Sequence, residues 1–440
     1  MAVNFTFKGG LHIPESKSFT KDKKIERLEE PKTVYIPLHQ HVGSACKPLV
    51  KKGDEVKIGQ KIGDSDSSIS APVHASVSGI VKGIEKRYST TGHQTDCVVI
   101  ESDGENLFDN FETCKSFKDL THEEIEKKVR EAGIVGMGGA GFPAAAKLSG
   151  SKKAGVDSVI LNGAECEPYL TCDHRIMLEE GEKIIKGLEI MLHYFDTAKG
   201  YIGIEDNKMD VVESLKEVTK NKDNMEVVSL KTKFPQGDSY RMIDSILDRE
   251  VPQGGRCKDV SSIVNNVGTA AAIADAVLEG KPLYERIITV TGSGIKTPKN
   301  LMVKIGTPIE DILKACGGFN GNIGKIISGG PMTGVTQFSL DAPITKGTTG
   351  ILVLSEDEVE EEKPQPCIKC GKCIEVCPVF LEPLFISANS LKDRFDEAEA
   401  LSAMSCIACG SCTFICPANR PLTQSIVHAK NEINKKRKRS

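Results

Sequence analysis

The chain has 440 residues, 57 Lys and Arg against 61 Asp and Glu, a net charge of −4 and 39% hydrophobic residues. That length gives a prior of about three domains, and the balanced charge argues against nucleic acid as a partner. No run approaches the ~18 uninterrupted apolar residues of a membrane span, and the N-terminus MAVNFTFKGG lacks a signal-peptide pattern.

Residues 1–32 form an N-terminal segment. From 33 to 115, short alternating phrases are broken by glycine: TVYIPL, GDEVKIGQKIG, VHASVSGIVKGIE and CVVIES. Gly53-Asp54 and Gly59 are turn signals between them. The pattern resembles the barrel-sandwich domains that carry biotin or lipoate. Those carriers need a lysine on an exposed hairpin, and the stretch Ser70 to Ser76 offers none. The fold is expected without the carrier chemistry, with His74 packed or solvated rather than a ligand.

Residues 116–283 change to an α/β grammar. EEIEKKVREAG places Ile125, Val129 and Ala132 on one helical face. SVILN (158–162), YIGIED (201–206) and EVVSLKT (226–232) read as strands, with a helix over VVESLKEV. SIVNNVGTAAAIADAVLEG reads as a strand running into an alanine-rich helix. Strands alternating with helices predict a parallel, doubly wound sheet.

Inside this unit GMGGAGFP, Gly136 to Pro143, follows the first helix. Backbone so rich in glycine approaches a phosphate or a flat ring closely, and its N–H groups form an anion nest. A plain flexible loop is the alternative. Lys147 stands where an ammonium meets a phosphate. SVILN empties into Asn162-Gly163-Ala164-Glu165-Cys166-Glu167-Pro168, and ligands of open α/β sheets bind at the carboxyl ends of strands. Asn162 suits a flavin or ribose, and Glu165 and Glu167 are acceptors for hydroxyls or amides. Phe234 to Asp238 and Asn265 to Thr269 add polar groups at further strand ends. GMGGAG follows a helix rather than closing a strand, so the usual dinucleotide fingerprint is not in use.

Residues 284–355 shift again. RIITVTGSG is a strand pattern and PIEDILKACGG a helix closed by Gly317, resembling a β-grasp module. An acidic, proline-bearing linker (356–366) leads to residues 367–425, which hold one cysteine phrase twice. Cys367, Cys370, Cys373 and Cys377 precede Pro378; Cys406, Cys409, Cys412 and Cys416 precede Pro417. Each reads C-x2-C-x2-C-x3-C-P, the two-cluster ferredoxin spacing in which the fourth cysteine ligates the other cluster. Cys367, Cys370, Cys373 and Cys416 are therefore assigned to one [4Fe–4S] cluster, and Cys406, Cys409, Cys412 and Cys377 to another. Paired zinc knuckles are the alternative, disfavoured by the duplication and the closing prolines. The remaining cysteines, Cys46, Cys97, Cys114, Cys166, Cys172, Cys257 and Cys316, form no disulfide-like pattern, which points to a reducing compartment. Residues 426–440 are a basic tail containing Lys435-Lys436-Arg437-Lys438-Arg439, read as disordered and solvated.

GMGGAGFP, NGAECEP and VNNVGT, in this order, resemble the flavin- and NADH-binding subunit of respiratory complex I, which reads GRGGAGFP, NADESEP and INNVET at these places. Ala164 and Cys166 stand where that family has Asp and Ser, and Asp238 and Ser239 where it has two glutamates. The two ferredoxin motifs exclude the complex I subunit itself. TFKGGLHIPESK, PLHQHVG, SAPVHASVSGIV, the flavin motifs, the β-grasp module and the cluster phrases together resemble the RnfC family of the Rnf ferredoxin:NAD oxidoreductase complexes. That resemblance covers residues 4–425.

It implies FMN in a Rossmann-like α/β domain, with NADH stacked on it; no Ser/Thr attachment motif stands out near the glycine-rich loop, so the FMN is expected to be non-covalent. Hydride would pass between NAD(H) and FMN, and single electrons between FMN and two [4Fe–4S] clusters. Gly136, Gly138, Gly139, Lys147, Asn162, Asn265 and Asn266 would hold FMN. Phe142, Glu165 and Glu167 would face the nicotinamide nucleotide, the two glutamates as catalytic residues. The β-grasp module would be of the SLBB type. The partners would be the other subunits of a membrane-bound Rnf complex, with ferredoxin as the electron partner of the complex. The implied location is peripheral, on the cytoplasmic face of the inner membrane. The chemistry asks for the same parts, because NAD(H) exchanges a hydride, a cluster exchanges one electron, and a flavin connects the two. Two other readings are a corrinoid-reductase-type flavin/iron–sulfur enzyme of diol metabolism and a relay subunit without nucleotide binding. The N-terminal block stands against the first, and the glycine-rich loop with Glu165 and Glu167 against the second.

Overall fold

The computed structural model describes residues 5–196, 199–359 and 363–439. Residues 1–4 of the N-terminal segment, 360–362 of the acidic linker and 440 of the tail lie outside the described residues.

Four parallel strands form the α/β sheet, in the spatial order Met225–Leu230, Lys199–Glu205, Ser158–Asn162, Ser262–Asn266. Alternate residues of a strand face opposite sides, and both sides are buried here. Val159, Leu161, Ile202 and Ile263 pack against the helices Gly181–Phe195 and Val267–Ala274. Ile160, Val228 and Val264 pack against Met242 and Ile243 of the helix Ser239–Leu247. The helix His122–Glu131 opens on a capping box between Thr121 and Glu124 and buries Ile125 and Val129. The strand order reverses beside Ser158–Asn162, so its neighbour Ser262–Asn266 comes from the far end of the domain. Asn162 and Asn266 pair in register at the carboxyl ends of these two strands. That is the topological switch point at which open α/β sheets bind ligands.

The barrel-sandwich unit encloses Val34, Ile36, Ile62, Val73, Val81, Val98 and Ile100 between a four-stranded and a three-stranded antiparallel sheet. His74 is buried in it. The β-grasp unit is a six-stranded sheet, and the helix Ile309–Ala315 packs Ile309, Ile312 and Leu313 beneath it. Gly317, in a left-handed conformation, follows that helix. The edge strand of this sheet, Ile25–Arg27, comes from the N-terminal segment and pairs with Lys299–Lys304.

The two cysteine phrases are copies in backbone as well as in sequence. Lys369 and Ala408 both have φ of 56°, Gly371 and Gly410 have φ of 79° and 85°, and Phe380 and Asn419 have φ of 55° and 49°. The last helix, Leu422–Arg439, closes this unit. Its Ile426, Ala429 and Ile433 are buried against Ile386 and Ala398. The tail read as disordered is thus a continuation of this helix. The apolar residues recur at helical spacing as far as Ile433, and beyond it Lys436 pairs with Asp396 at 2.6 Å.

Candidate active site and cluster cavities

The switch point sets two amides side by side. Asn162 Nδ2 donates to Gly237 O at 2.7 Å, and its Oδ1 accepts from Ala164 N at 3.1 Å. Asn266 Oδ1 accepts from Gly268 N at 2.8 Å, capping the helix Val267–Ala274, and its Nδ2 donates to Asp173 Oδ2 at 2.6 Å. The glycine-rich loop is pinned at its base by Gly136 N donating to Phe142 O at 2.9 Å. Met137 N donates to Thr269 Oγ1 at 2.9 Å, which holds the loop over the same helix.

At the loop tip Gly138, Gly139 and Ala140 are exposed. Gly138 has φ of +91°, and a Cβ there would stand 3.0 Å from Asn266 Nδ2. A Cβ on Gly139 would meet no protein atom within 4 Å. Bare backbone therefore lies over one amide, with open space in front of Gly139. This cradle fits the flat ring and phosphate of FMN.

The loop after Asn162 carries both predicted glutamates, and the structure engages each carboxylate with backbone N–H groups. Glu165, at φ of +44°, accepts from Asp173 N at 2.7 Å and His174 N at 3.2 Å, at the start of the helix Cys172–Glu179. Glu167 accepts from Met332 N at 2.7 Å and Thr333 N at 3.0 Å, which ties the loop to the β-grasp unit. Burial pushes the Glu167 carboxyl above the ordinary range, against those N–H bonds.

Phe142 is half-buried. Lys147 turns its ammonium to Val264 O within the sheet strand, and burial lowers its pKa to about 8. Asn265 points inward, its Nδ2 3.3 Å from Met191 Sδ. The site thus gathers Gly136, Gly138, Gly139, Asn162 and Asn266, while Lys147 and Asn265 turn into the packed layers. Two further residues join it to which the sequence assigned no role. Asp173 holds Asn266, and Lys17 donates to Glu165 O at 2.9 Å and Glu167 O at 3.0 Å.

Cys367, Cys370, Cys373 and Cys416 line one cavity of about 20 Å³; Cys377, Cys406, Cys409 and Cys412 line a second of about 20 Å³. The fourth cysteine of each phrase sits with the other triplet. Backbone N–H groups already point at the sulfurs: Lys369 N to Cys367 Sγ at 3.4 Å, Ala408 N to Cys406 Sγ at 3.4 Å, and Leu381 N to Cys377 Sγ at 3.3 Å. Four thiols converging on one small space, with N–H groups turned to the sulfur, fit a cubane cluster. The surroundings of the two sets differ. Cys367 and Cys370 are exposed, whereas no cysteine of the second set is.

The second cavity lies against the α/β unit. Gly410 packs on Met332 of the β-grasp unit, where a Cβ would come within 2.8 Å of Met332 O, and Met332 N in turn donates to Glu167. Gln253 Nε2 donates to Ser405 Oγ at 2.9 Å. Among the described residues no helix is long and apolar enough to cross a membrane.

Four family descriptions match along the chain. They are an RnfC barrel sandwich hybrid domain over 5–105, a Nuo51 FMN-binding domain over 129–275, an SLBB domain over 287–336 and a 4Fe-4S dicluster domain over 359–417. The RnfC protein of the Na(+)-translocating ferredoxin:NAD(+) oxidoreductase complex of Acetobacterium woodii is 46% identical, over 97% of this chain and 97% of that protein. Its counterpart in the proton-translocating ferredoxin:NAD(+) oxidoreductase complex of Clostridium ljungdahlii is 45% identical over 89% of this chain and 86% of its own length. The counterpart in the ion-translocating oxidoreductase complex of Rhodobacter capsulatus is 38% identical over 99% and 85%.

Proposed function

The chain belongs to the RnfC family of ion-translocating ferredoxin:NAD(+) oxidoreductase complexes, and we propose that it is the subunit where NAD(H) exchanges electrons with the complex. FMN held at the strand ends would supply the exchange between a hydride of NAD(H) and the single electrons of iron–sulfur clusters, in either direction. The observation that carries this reading is how the second cysteine cavity abuts the loop at the strand ends: Gly410, which lines it, packs on Met332, whose N–H donates to Glu167 at 2.7 Å.

The residues divide the work. Gly136, Gly138 and Gly139 bring backbone against the ring, and Asn162 and Asn266 present amides from the two strand ends. Lys147 and Asn265 support the same layer from behind. Phe142, Glu165 and Glu167 stand on the two loops that border the nucleotide side. Cys377, Cys406, Cys409 and Cys412 hold the cluster nearer the sheet. Cys367, Cys370, Cys373 and Cys416 hold the one that faces outward, where another protein of the complex exchanges electrons. The domain limits that go with these roles are 33–115, 116–283, 284–355 and 367–425. The chain docks peripherally on the cytoplasmic face of the inner membrane, held by the other subunits of the complex. Ferredoxin is the electron partner of the whole complex.

The purified chain is expected to carry FMN, and NADH to bleach its flavin absorbance and then raise the EPR signals of reduced [4Fe–4S] clusters. A flavin-loaded chain that ignores NADH overturns the proposal.

A further inference from the structure

Residues 5–27 run past the edge of the parallel sheet, the cluster turn at Cys377 and the loop that follows Asn162. Phe5 bridges Leu230 at the edge of the parallel sheet, and Leu11 bridges Phe234. Between them Gly10 N donates to Val376 O at 2.9 Å. Gly9, at φ of +76°, lies so close to the cluster turn that a Cβ would stand 2.7 Å from Cys377 O. Farther on, Tyr169 N donates to Glu15 O at 2.8 Å, and the Thr20 and Thr171 hydroxyls meet at 2.7 Å.

Lys17 sits midway along this strap and is 6% exposed. Its ammonium donates to Glu165 O at 2.9 Å, Glu167 O at 3.0 Å and Leu170 O. A lysine ammonium has three donors and no acceptor, so every proton is used on one loop. The Glu165 carboxylate, 3.9 Å away, supplies the countercharge. That loop holds two non-glycine residues in the left-handed region, Glu165 at φ of 44° and Tyr169 at φ of 69°. Such a backbone persists only where its surroundings over-determine it, and three carbonyls tied to one buried cation do so.

We propose that Lys17 is the positioning residue of the Glu165–Leu170 loop, and that the strap carrying it fixes this loop against the cluster turn at Cys377. The inference rests on the NADH and FMN reading above. It adds that the spacing between the nucleotide loop and the nearer cluster is set by the N-terminal strap, through Lys17 at one end and Gly9-Gly10 at the other.

Two variants of the full chain, loaded with FMN and both clusters, test it. Lys17→Met keeps the length of the stem and removes all three donors. With ferricyanide taking electrons at the flavin, its KM for NADH should rise about tenfold with a smaller change in kcat. Gly9→Ala puts a methyl against Cys377 O. It should leave the ferricyanide reaction unchanged and slow NADH-driven cluster reduction, read by stopped flow per loaded chain, about tenfold. Should Lys17→Met fail to fold, Lys17→Gln keeps part of the donor set and carries the same measurement. A wild-type KM in whichever Lys17 variant folds, or wild-type cluster reduction in Gly9→Ala, overturns the proposal and leaves the strap as structural cement. Failure of the unsubstituted chain to bind FMN or react with NADH would strike the proposed function instead, so it is read first.

Discussion

Asn266 and Asp173 are joined by a 2.6 Å hydrogen bond from Nδ2 to Oδ2. This contact crosses from the end of one sheet strand to the first turn of the helix Cys172–Glu179. It fixes the amide that lies beneath Gly138. It also leaves Asp173 beside the Glu165 carboxylate, which accepts from Asp173 N.

Burial, then the charge of Glu165, raises the Asp173 carboxyl from 3.8 to about 7. Its folded pKa lies above the unfolded one, so the folded chain binds the extra proton between those two pH values. Stability from this group is full below the lower value and is lost as pH rises through about 7. Asp173→Asn removes the ionisation and keeps an acceptor for Asn266. The stability of the variant relative to the natural chain should therefore grow between pH 5 and pH 8, by on the order of 2 kcal/mol. Thermal unfolding across that range reads it, and a difference that does not change with pH sinks the assignment.

Gly139→Val tests the cradle. The position has no protein atom within 4 Å of an added Cβ, so the substitution should cost the fold little. In front of it lies the space assigned to the ring. The purified variant should lose most of its FMN while keeping the iron content and melting temperature of the natural chain. Full flavin occupancy would place the cofactor elsewhere.

Cys377→Ser tests the exchange of ligands between motifs. Cys377 lines the cavity of Cys406, Cys409 and Cys412 rather than that of its own phrase. EPR of the reduced variant should show damage to the cluster held by the second triplet, with the exposed cluster at Cys367 and Cys370 intact. The opposite pattern would mean that each phrase holds its own cluster.

The parts of this molecule that can be read from sequence are those whose signal is local. The cysteine phrases pack their information into eleven residues each, and the φ values at Lys369 and Ala408 follow the same repeat. SVILN and SIVNN announce buried strands by their apolar runs. The alternation of strands with helices predicts the doubly wound sheet. That Asn162 and Asn266 become neighbours depends on strand order, which no single segment encodes. Lys17 reaches the Glu165 loop across 148 residues with no periodicity to betray it. The strand Ile25–Arg27 is three residues long and mostly exposed, so it has no alternating pattern to read. In the tail two local signals compete. The run of cations suggests a solvated coil, whereas the spacing of Ile426, Ala429 and Ile433 carries the helix that forms.

That helix decides how the tail should be tested. Ile433 is 1% exposed, and losing a buried isoleucine costs about 2–5 kcal/mol. Deleting residues 431–440 would therefore disturb the cluster unit as well as remove charge. Lys435, Lys436 and Lys438 are exposed, and Lys435 and Lys436 pair with Glu432 and Asp396. Exposed pairs of this kind add little stability, so substituting glutamine at Lys435, Lys436, Arg437 and Lys438 together should leave the fold intact. If the other subunits hold the chain at the membrane, this variant stays in the membrane fraction at physiological salt. Replacing Cys406, Cys409 and Cys412 by serine, which empties the second cavity, should release it. A basic cluster at an anionic surface contributes up to about 1 kcal/mol per cation. Release of the glutamine variant alone would therefore make the tail the anchor and the protein contacts secondary.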